Sequence, residues 1–179
     1  MKKFLKYGVG GLLLLLVLLT GGFYVWGEMS LAKPRTEALA AMQSDARVTV
    51  EEGKYLSFRP ATGEPTLGVI FYPGANCDIR GYAPVFHRVA SRGYLVVDVQ
   101  MPRNFAIFAP DRADEVRAAY PNIKRWVIAG HSIGGAMAGY YAFHHEKDLA
   151  GVIIWDAYPP EQDSLAESDL PVWLIHRAT

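Results

Sequence analysis

Hydrophobic and polar positions divide the chain into two regimes. Residues 7–27 carry no charge and are nearly pure leucine from Leu12 to Leu19; further on, short apolar runs alternate with amphipathic ones. Residues 47–51 and 54–59 alternate well enough for a hairpin, with Glu52-Gly53 as its turn. Residues 66–72 form a mostly apolar run suited to a strand buried on both faces. Residues 82–92 switch to helical spacing, with Val85, Phe86 and Val89 on one face, and Gly93 stands where helices end. Residues 94–99 read as another buried strand. Residues 111–120 read as a polar-faced helix, with Asp114 and Arg117 one turn apart and Pro121 as its stop. A strand over 126–129 precedes a helix over 133–145. Two more buried strands follow at 151–155 and 172–175, separated by Tyr158-Pro159-Pro160 and a short acidic helix over 161–168.

Strands alternating with helices predict an α/β fold, a mostly parallel sheet with right-handed crossovers; the leading hairpin adds antiparallel strands at one edge. Before that domain, residues 29–44 read as an exposed amphipathic stalk helix, with Pro34 near its start and Leu31, Leu39, Ala40 and Met42 on its apolar side. The expected organisation is an anchor or signal over 1–28, a stalk helix over 29–45 and one domain over 46–179.

Lys2, Lys3 and Lys6 precede the uncharged stretch, which as a helix at about 1.5 Å per residue spans roughly one hydrocarbon core. A cleaved signal peptide would have a shorter apolar region and a small-residue cleavage site. Thr20-Gly21-Gly22 offers small residues, but Phe23, Tyr24, Val25 and Trp26 continue the apolar character and sit where an interfacial belt would lie. An uncleaved anchor is the favoured expectation. The lysines place the N-terminus in the cytoplasm and the domain on the extracytoplasmic side; cleavage would make the protein secreted.

Composition narrows the chemistry. Eighteen basic and eighteen acidic residues cancel, so nothing argues for a nucleic-acid partner. Cys77 is the only cysteine, which excludes an internal disulfide and a cysteine-based metal cluster. Neither HExxH nor paired CxxC occurs, and no metal is expected.

The most informative stretch is Gly130-His131-Ser132-Ile133-Gly134, between the apolar run 126–129 and the Gly/Ala-rich run 135–140. A chain leaving a strand and entering a helix this abruptly holds the central serine in a strained conformation with its hydroxyl exposed. Glycines on both sides are needed because side chains there would collide with the neighbouring strand or helix. The helix N-terminus then points N–H groups at negative charge developing beside the serine. Ser132 reads as a nucleophile; the plainer reading is a helix-capping serine.

Together with Phe71-Tyr72-Pro73-Gly74-Ala75, Gly93-Tyr94-Leu95-Val96-Val97 and Met101-Pro102, this stretch resembles the α/β-hydrolase superfamily, within it the membrane-anchored or exported bacterial dienelactone-hydrolase-like group. The resemblance runs from about Val48 onward. It implies hydrolysis of an ester, lactone or similar small acyl substrate through a Ser132 acyl-enzyme, without a cofactor. The oxyanion hole it implies takes one donor from Ile133 and the other from Ala75 or Asn76, with Gly74 letting the backbone approach. Gly130, His131 and Gly134 complete the elbow. Cys77 reads as a small buried residue more readily than as a nucleophile.

A serine hydroxyl needs a histidine to take its proton, and the histidine an acid to orient it. The family keeps the order Ser, acid, His, with the acid after the seventh strand and the histidine after the eighth. Here only His176, Arg177, Ala178 and Thr179 follow the seventh strand. Asp156, at the end of the sixth strand, is the possible acid, ahead of Asp169. His176 lies two strands, nearly 10 Å, from the strand of Ser132. His131 points beside the nucleophile rather than onto it; His144 and His145 read as surface residues, His87 as a helix flank and Asp98 as structural. The expectation is a C-terminally incomplete hydrolase lacking the eighth strand and last helix. The alternative is a catalytically inactive α/β-hydrolase-fold binding domain tethered to the membrane.

Overall fold

The structure is a computed structural model that describes residues 2–176. Its contacts divide the chain into two units, Met1–Leu31 and Ala32–Thr179. In the first, helix α1 (Lys2–Met29) contains the apolar stretch Tyr7–Gly27, none of it buried in protein. The one hydroxyl in the middle of that stretch is satisfied within the helix, Thr20 Oγ1 donating to Leu16 O at 2.8 Å. That pairing is what a helix in hydrocarbon requires of its polar atoms.

The second unit is a seven-stranded sheet in the order β1-β2-β4-β3-β5-β6-β7. β1 (Val48–Glu52) and β2 (Leu56–Pro60) form the antiparallel hairpin, and β2 joins β4 (Leu95–Asp98) antiparallel. β3 (Leu67–Tyr72), β4, β5 (Arg125–His131), β6 (Gly151–Trp155) and β7 (Val172–Ile175) are parallel. Continuous apolar runs became the central strands because both faces there are covered. β3 and β5 fit closely: Gly68 lies opposite Trp126, whose indole occupies the space a β-carbon at Gly68 would fill.

Two apolar layers flank the sheet. On one face α3 (Ala83–Ala90) drives Phe86 against Phe58 and Phe71, with ring centroids 5.7 and 4.9 Å apart. On the other, α4 (Ala113–Ala119) and α5 (Ile133–His144) cover Ile70, Val97, Ile128, Val152 and Ile154 with Val116, Ala138, Tyr141 and Ala142. Tyr72 is fully buried in this layer, its Oη donating to Pro110 O at 2.7 Å and accepting from the Ala113 N–H at 2.8 Å. The edge strand β7 leaves Trp173, Leu174 and Ile175 about half exposed.

Two expected helices are corrected. Residues 29–45 are not a stalk helix: α1 ends at Met29, and helix returns only in α2 (Thr36–Ala40). Pro34 disfavours helix at Lys33, and Ala32 pairs with Cys77 instead of with its own turn. The acidic helix over 161–168 shrinks to a 3-10 turn at Glu161–Asp163, where buried Asp163 meets His144 Nε2 at 3.1 Å. The remaining elements fall within a few residues of their expected ranges.

Asp98 stands out at the end of β4. It is completely buried beside the α3 layer, and both carboxylate oxygens lack hydrogen-bond partners among the described residues. Desolvation pushes its pKa well above the ordinary 3.8, with nearby Asp78 adding to the rise and the Val99 N–H opposing it. The native state therefore holds a proton that the unfolded chain releases above that value, and stability declines as pH rises, at most about 1.4 kcal/mol per unit. An Asp98→Asn variant has no charge to suppress. Its stability relative to the parent, measured by urea unfolding from pH 4 upward, is expected to improve as pH rises above the ordinary carboxyl value and to level off once the folded-state carboxyl ionises.

Candidate active site

The parallel strands end along one edge of the sheet, so residues following β3, β4, β5 and β6 converge there. Ser132 occupies the turn between β5 and α5 with φ 53° and ψ −127°, a conformation that L-residues rarely adopt. Such a residue persists only when its surroundings over-determine it, at a cost of about 1–3 kcal/mol. Here the Ser132 N–H donates to Trp155 O at 2.8 Å, and its carbonyl accepts from Ala136 N–H at 3.0 Å, opening α5. The side chain is exposed, and no histidine hydrogen-bonds it among the described residues.

The elbow glycines are fixed by close approach. A β-carbon at Gly134 would strike the carbonyl oxygens of Tyr72 and Pro73, and one at Gly130 would strike Gly134 O. The start of α5 thus packs backbone-to-backbone against the end of β3, setting the loop after Tyr72 beside the elbow.

That loop is almost saturated with hydrogen bonds. The Gly74 N–H donates to Tyr82 Oη at 3.1 Å, Asn76 N–H to Asn104 O at 3.1 Å and Cys77 N–H to Gly74 O at 3.3 Å. Asp78 N–H donates to Ala32 O at 3.1 Å. Pro73 has no N–H. Of this loop, Ala75 alone has an N–H without a partner among the described residues, and the Ile133 N–H at the start of α5 is likewise unpaired. Of the two loop donors expected from sequence, Asn76 has its N–H committed and Ala75 does not. Asn76 holds φ 50°, a left-handed conformation that asparagine tolerates.

His131 turns away from Ser132 toward Tyr82, with Nδ1 2.9 Å from Tyr82 Oη. Burial holds the imidazole below its ordinary pKa, partly opposed by the Asp156 carboxylate. Burial thus favours the neutral ring, whose Nδ1 pairs with the Tyr82 hydroxyl while that oxygen accepts from the Gly74 N–H. Sequence reasoning did not single out Tyr82; nothing in its position within an amphipathic run signals the contact.

Asp156 follows β6 with φ 49°, its N–H donating to Ile175 O at 2.8 Å. Its Oδ1 lies 3.9 Å from His176 Nδ1, both side chains being over a third exposed, and His176 packs against Tyr158. Cys77 is partly exposed beside Gly74. His145 stacks on Tyr141 at 4.1 Å, and His87 lies 3.9 Å from Asp45. Among the described residues no three His, Cys, Asp or Glu side chains gather as a metal site.

A mixed sheet of this order, with a strained serine between a parallel strand and a glycine-rich helix, defines an α/β protein of the hydrolase type. Residues 68–178 match the model of the alpha/beta hydrolase family, and the chain belongs to that family. TT1662 from Thermus thermophilus is similar in structure, 17% identical with a TM-score of 0.50, over 64% of this chain and 61% of that one. A ferulic acid esterase from Streptomyces cinnamoneus gives 23% identity and a TM-score of 0.47, over 65% of this chain and 43% of that one. A bacterial membrane phospholipase A gives 23% and 0.46, over 87% and 52%. The chain thus spans less than two thirds of each of these proteins. No protein with a curated description matches.

Gly134→Ala tests the close approach. The added methyl has only carbonyl oxygens to meet, so the variant should be destabilised by at least about 1–3 kcal/mol, read as a lower urea midpoint. Gly81→Ala, where a β-carbon meets nothing within 4 Å, should differ little.

Proposed function

We propose that the domain hydrolyses an ester, lactone or similar small acyl substrate, with Ser132 as nucleophile and no cofactor. The observation carrying this reading is the backbone of Ser132, held at φ 53° between β5 and a glycine-backed helix start. Strain at one exposed, chemically capable side chain in a family of hydrolases favours a catalytic over a capping role, and Ser132 makes no side-chain cap hydrogen bond.

In the proposed reaction Ser132 Oγ bonds to the acyl carbon, its proton passing to an imidazole, and the carbonyl oxygen takes the negative charge. The N–H groups of Ile133 and Ala75 receive that oxyanion; Ala75 is preferred over Asn76 because its donor is uncommitted. The alcohol leaves with a proton, and water releases the acid. Two donors without competing partners are worth about 3 kcal/mol each in barrier height. His131 is a positioning residue here, its Nδ1 engaged by Tyr82 rather than by Ser132. Asp156 is proposed as the acid of the serine–histidine relay. The substrate is a small molecule, and α1 tethers the domain to a membrane with the domain outside; residues 1–28, 29–45 and 46–179 remain the proposed division into anchor, connecting segment and hydrolase domain.

A second reading has its own support: with no histidine bonded to Ser132 among the described residues, the domain could bind acyl compounds without turning them over. A fluorophosphonate probe separates the two. On the hydrolase reading Ser132 Oγ displaces fluoride from phosphorus, so the expressed chain is labelled and Ser132→Ala abolishes the label. An unlabelled chain supports the binding domain, and labelling that moves with Cys77→Ser would reassign the nucleophile.

The tether is tested separately. Leu15→Arg with Leu16→Arg adds about 6–8 kcal/mol to helix insertion. The parent should stay in the membrane pellet after an alkaline carbonate wash, and the double variant should appear in the supernatant.

A further inference from the structure

We propose that the extended segment centred on Ala32, just after the apolar helix, is a positioning element of the acyl site, holding the oxyanion loop so that Ala75 keeps its free N–H. This deepens, and rests on, the serine-hydrolase reading above. Ala32 forms a parallel β-bridge with Cys77: its N–H donates to Asn76 O at 2.7 Å, and its carbonyl accepts from Asp78 N–H at 3.1 Å. The two bonds straddle Cys77 and grip the loop on one side. On the other, the Asn76 N–H is fixed to Asn104 O, in a turn where Arg103 and Asn104 also have positive φ. Asn76, immediately after Ala75, is left-handed at φ 50° between these two grips.

The consequence is chemical. An oxyanion donor accelerates acyl transfer only if its direction is set before charge develops. Without the Ala32 bridge, Asn76 O and Asp78 N–H turn to water, and the loop presenting the Ala75 N–H is left to the Asn76–Asn104, Cys77–Gly74 and Gly74–Tyr82 bonds. The segment is built to stay extended, because Pro34 restricts Lys33 to the β region. It also walls a cavity of about 560 Å³, with Lys33, Pro34 and Arg35 on one side and Cys77, Tyr82 and His131 on the other. Ala32 follows closely on the Tyr7–Gly27 stretch in sequence.

The test is the kinetics of fluorophosphonate labelling on the full chain in detergent. Ala32→Pro removes the N–H donor; Ala32→Gly keeps both backbone groups. Ala32→Pro is expected to lower the maximal labelling rate constant about tenfold or more, with probe affinity within about twofold, and Ala32→Gly to restore the parent rate. A merely structural role would weaken folding without this split, so thermal unfolding is recorded alongside. A labelled parent with an unchanged Ala32→Pro rate overturns this proposal alone. An unlabelled parent, or labelling that survives Ser132→Ala, overturns the hydrolase reading and this proposal with it. If Ala32→Pro fails to melt cooperatively, amide exchange on the parent decides. The Asp78 amide should be protected at least about a hundredfold, and exchange at the unstructured rate would overturn the bridge.

Discussion

The structure depends on one contact between two stretches of bare backbone, Gly134 at the start of α5 against the carbonyls of Tyr72 and Pro73 at the end of β3. β3 and β5 are neighbouring parallel strands, paired from Leu67↔Arg125 to Tyr72↔Gly130. A helix leaving β5 can begin this close to β3 only where no β-carbon intervenes. Once it does, the residue before it must turn through a left-handed φ, and that residue is Ser132. The same approach lays the 73–78 loop alongside the helix start, where the Ile133 N–H, as a first-turn donor, has no intrahelical partner. Strain at the serine and the placing of the 73–78 loop beside it both follow from this one packing constraint.

Strain elsewhere is distributed in a way that reinforces this. Among the described residues the non-glycine positions with positive φ are Asn76, Arg103, Asn104, Ser132 and Asp156. They follow β3, β4, β5 and β6 respectively, all at the C-terminal edge of the parallel strands. The glycines with positive φ, Gly63 and Gly93, lie in ordinary connections elsewhere. A fold minimising its own energy would place glycine where left-handed backbone is needed. Here side chains are retained at those positions along one edge only, the pattern expected where side-chain chemistry outweighs local stability. Buried Asp98, whose carboxyl has no hydrogen-bond partner among the described residues, ends β4 at the same edge, another local cost concentrated there.

The sheet and its order of elements were legible because their signals are periodic and local: continuous apolar runs for β3 to β6, helical spacing at Val85, Phe86 and Val89, and a glycine-flanked serine between strand and helix. Helix limits were less so, since neither α3 nor α4 begins with a side-chain cap. The 29–45 segment misled because Leu31, Leu39 and Met42 imitate one helical face, while the determining interactions are backbone bonds from Ala32 to a loop over forty residues away. Backbone pairing of that kind leaves no trace in side-chain type. Nor does the contrast between Ala75 and Asn76, which depends on where Asn104 places its carbonyl, or the contact of Tyr82 with His131. A candidate nucleophile is written in a motif; the groups that aim its surroundings are written in topology.

Topology also bears on the acid. Ser132 ends β5, Asp156 ends the adjacent β6 and His176 ends β7, so Asp156 lies between the other two along the edge. Its carboxylate acts on both sides, opposing the burial-driven fall of the His131 pKa and lying 3.9 Å from His176 Nδ1. On the proposed hydrolase reading, an imidazole serving Ser132 must sit within hydrogen-bond reach of the hydroxyl and of an acid. His131 is turned to Tyr82, and His176 is about two strand spacings, roughly 10 Å, from the strand of Ser132. Asp156 is one spacing away. Its left-handed backbone, tied to Ile175 O, fixes the carboxylate at that edge. Asp156 is thus the carboxylate that the sheet order sets one strand from Ser132, between His131 and His176.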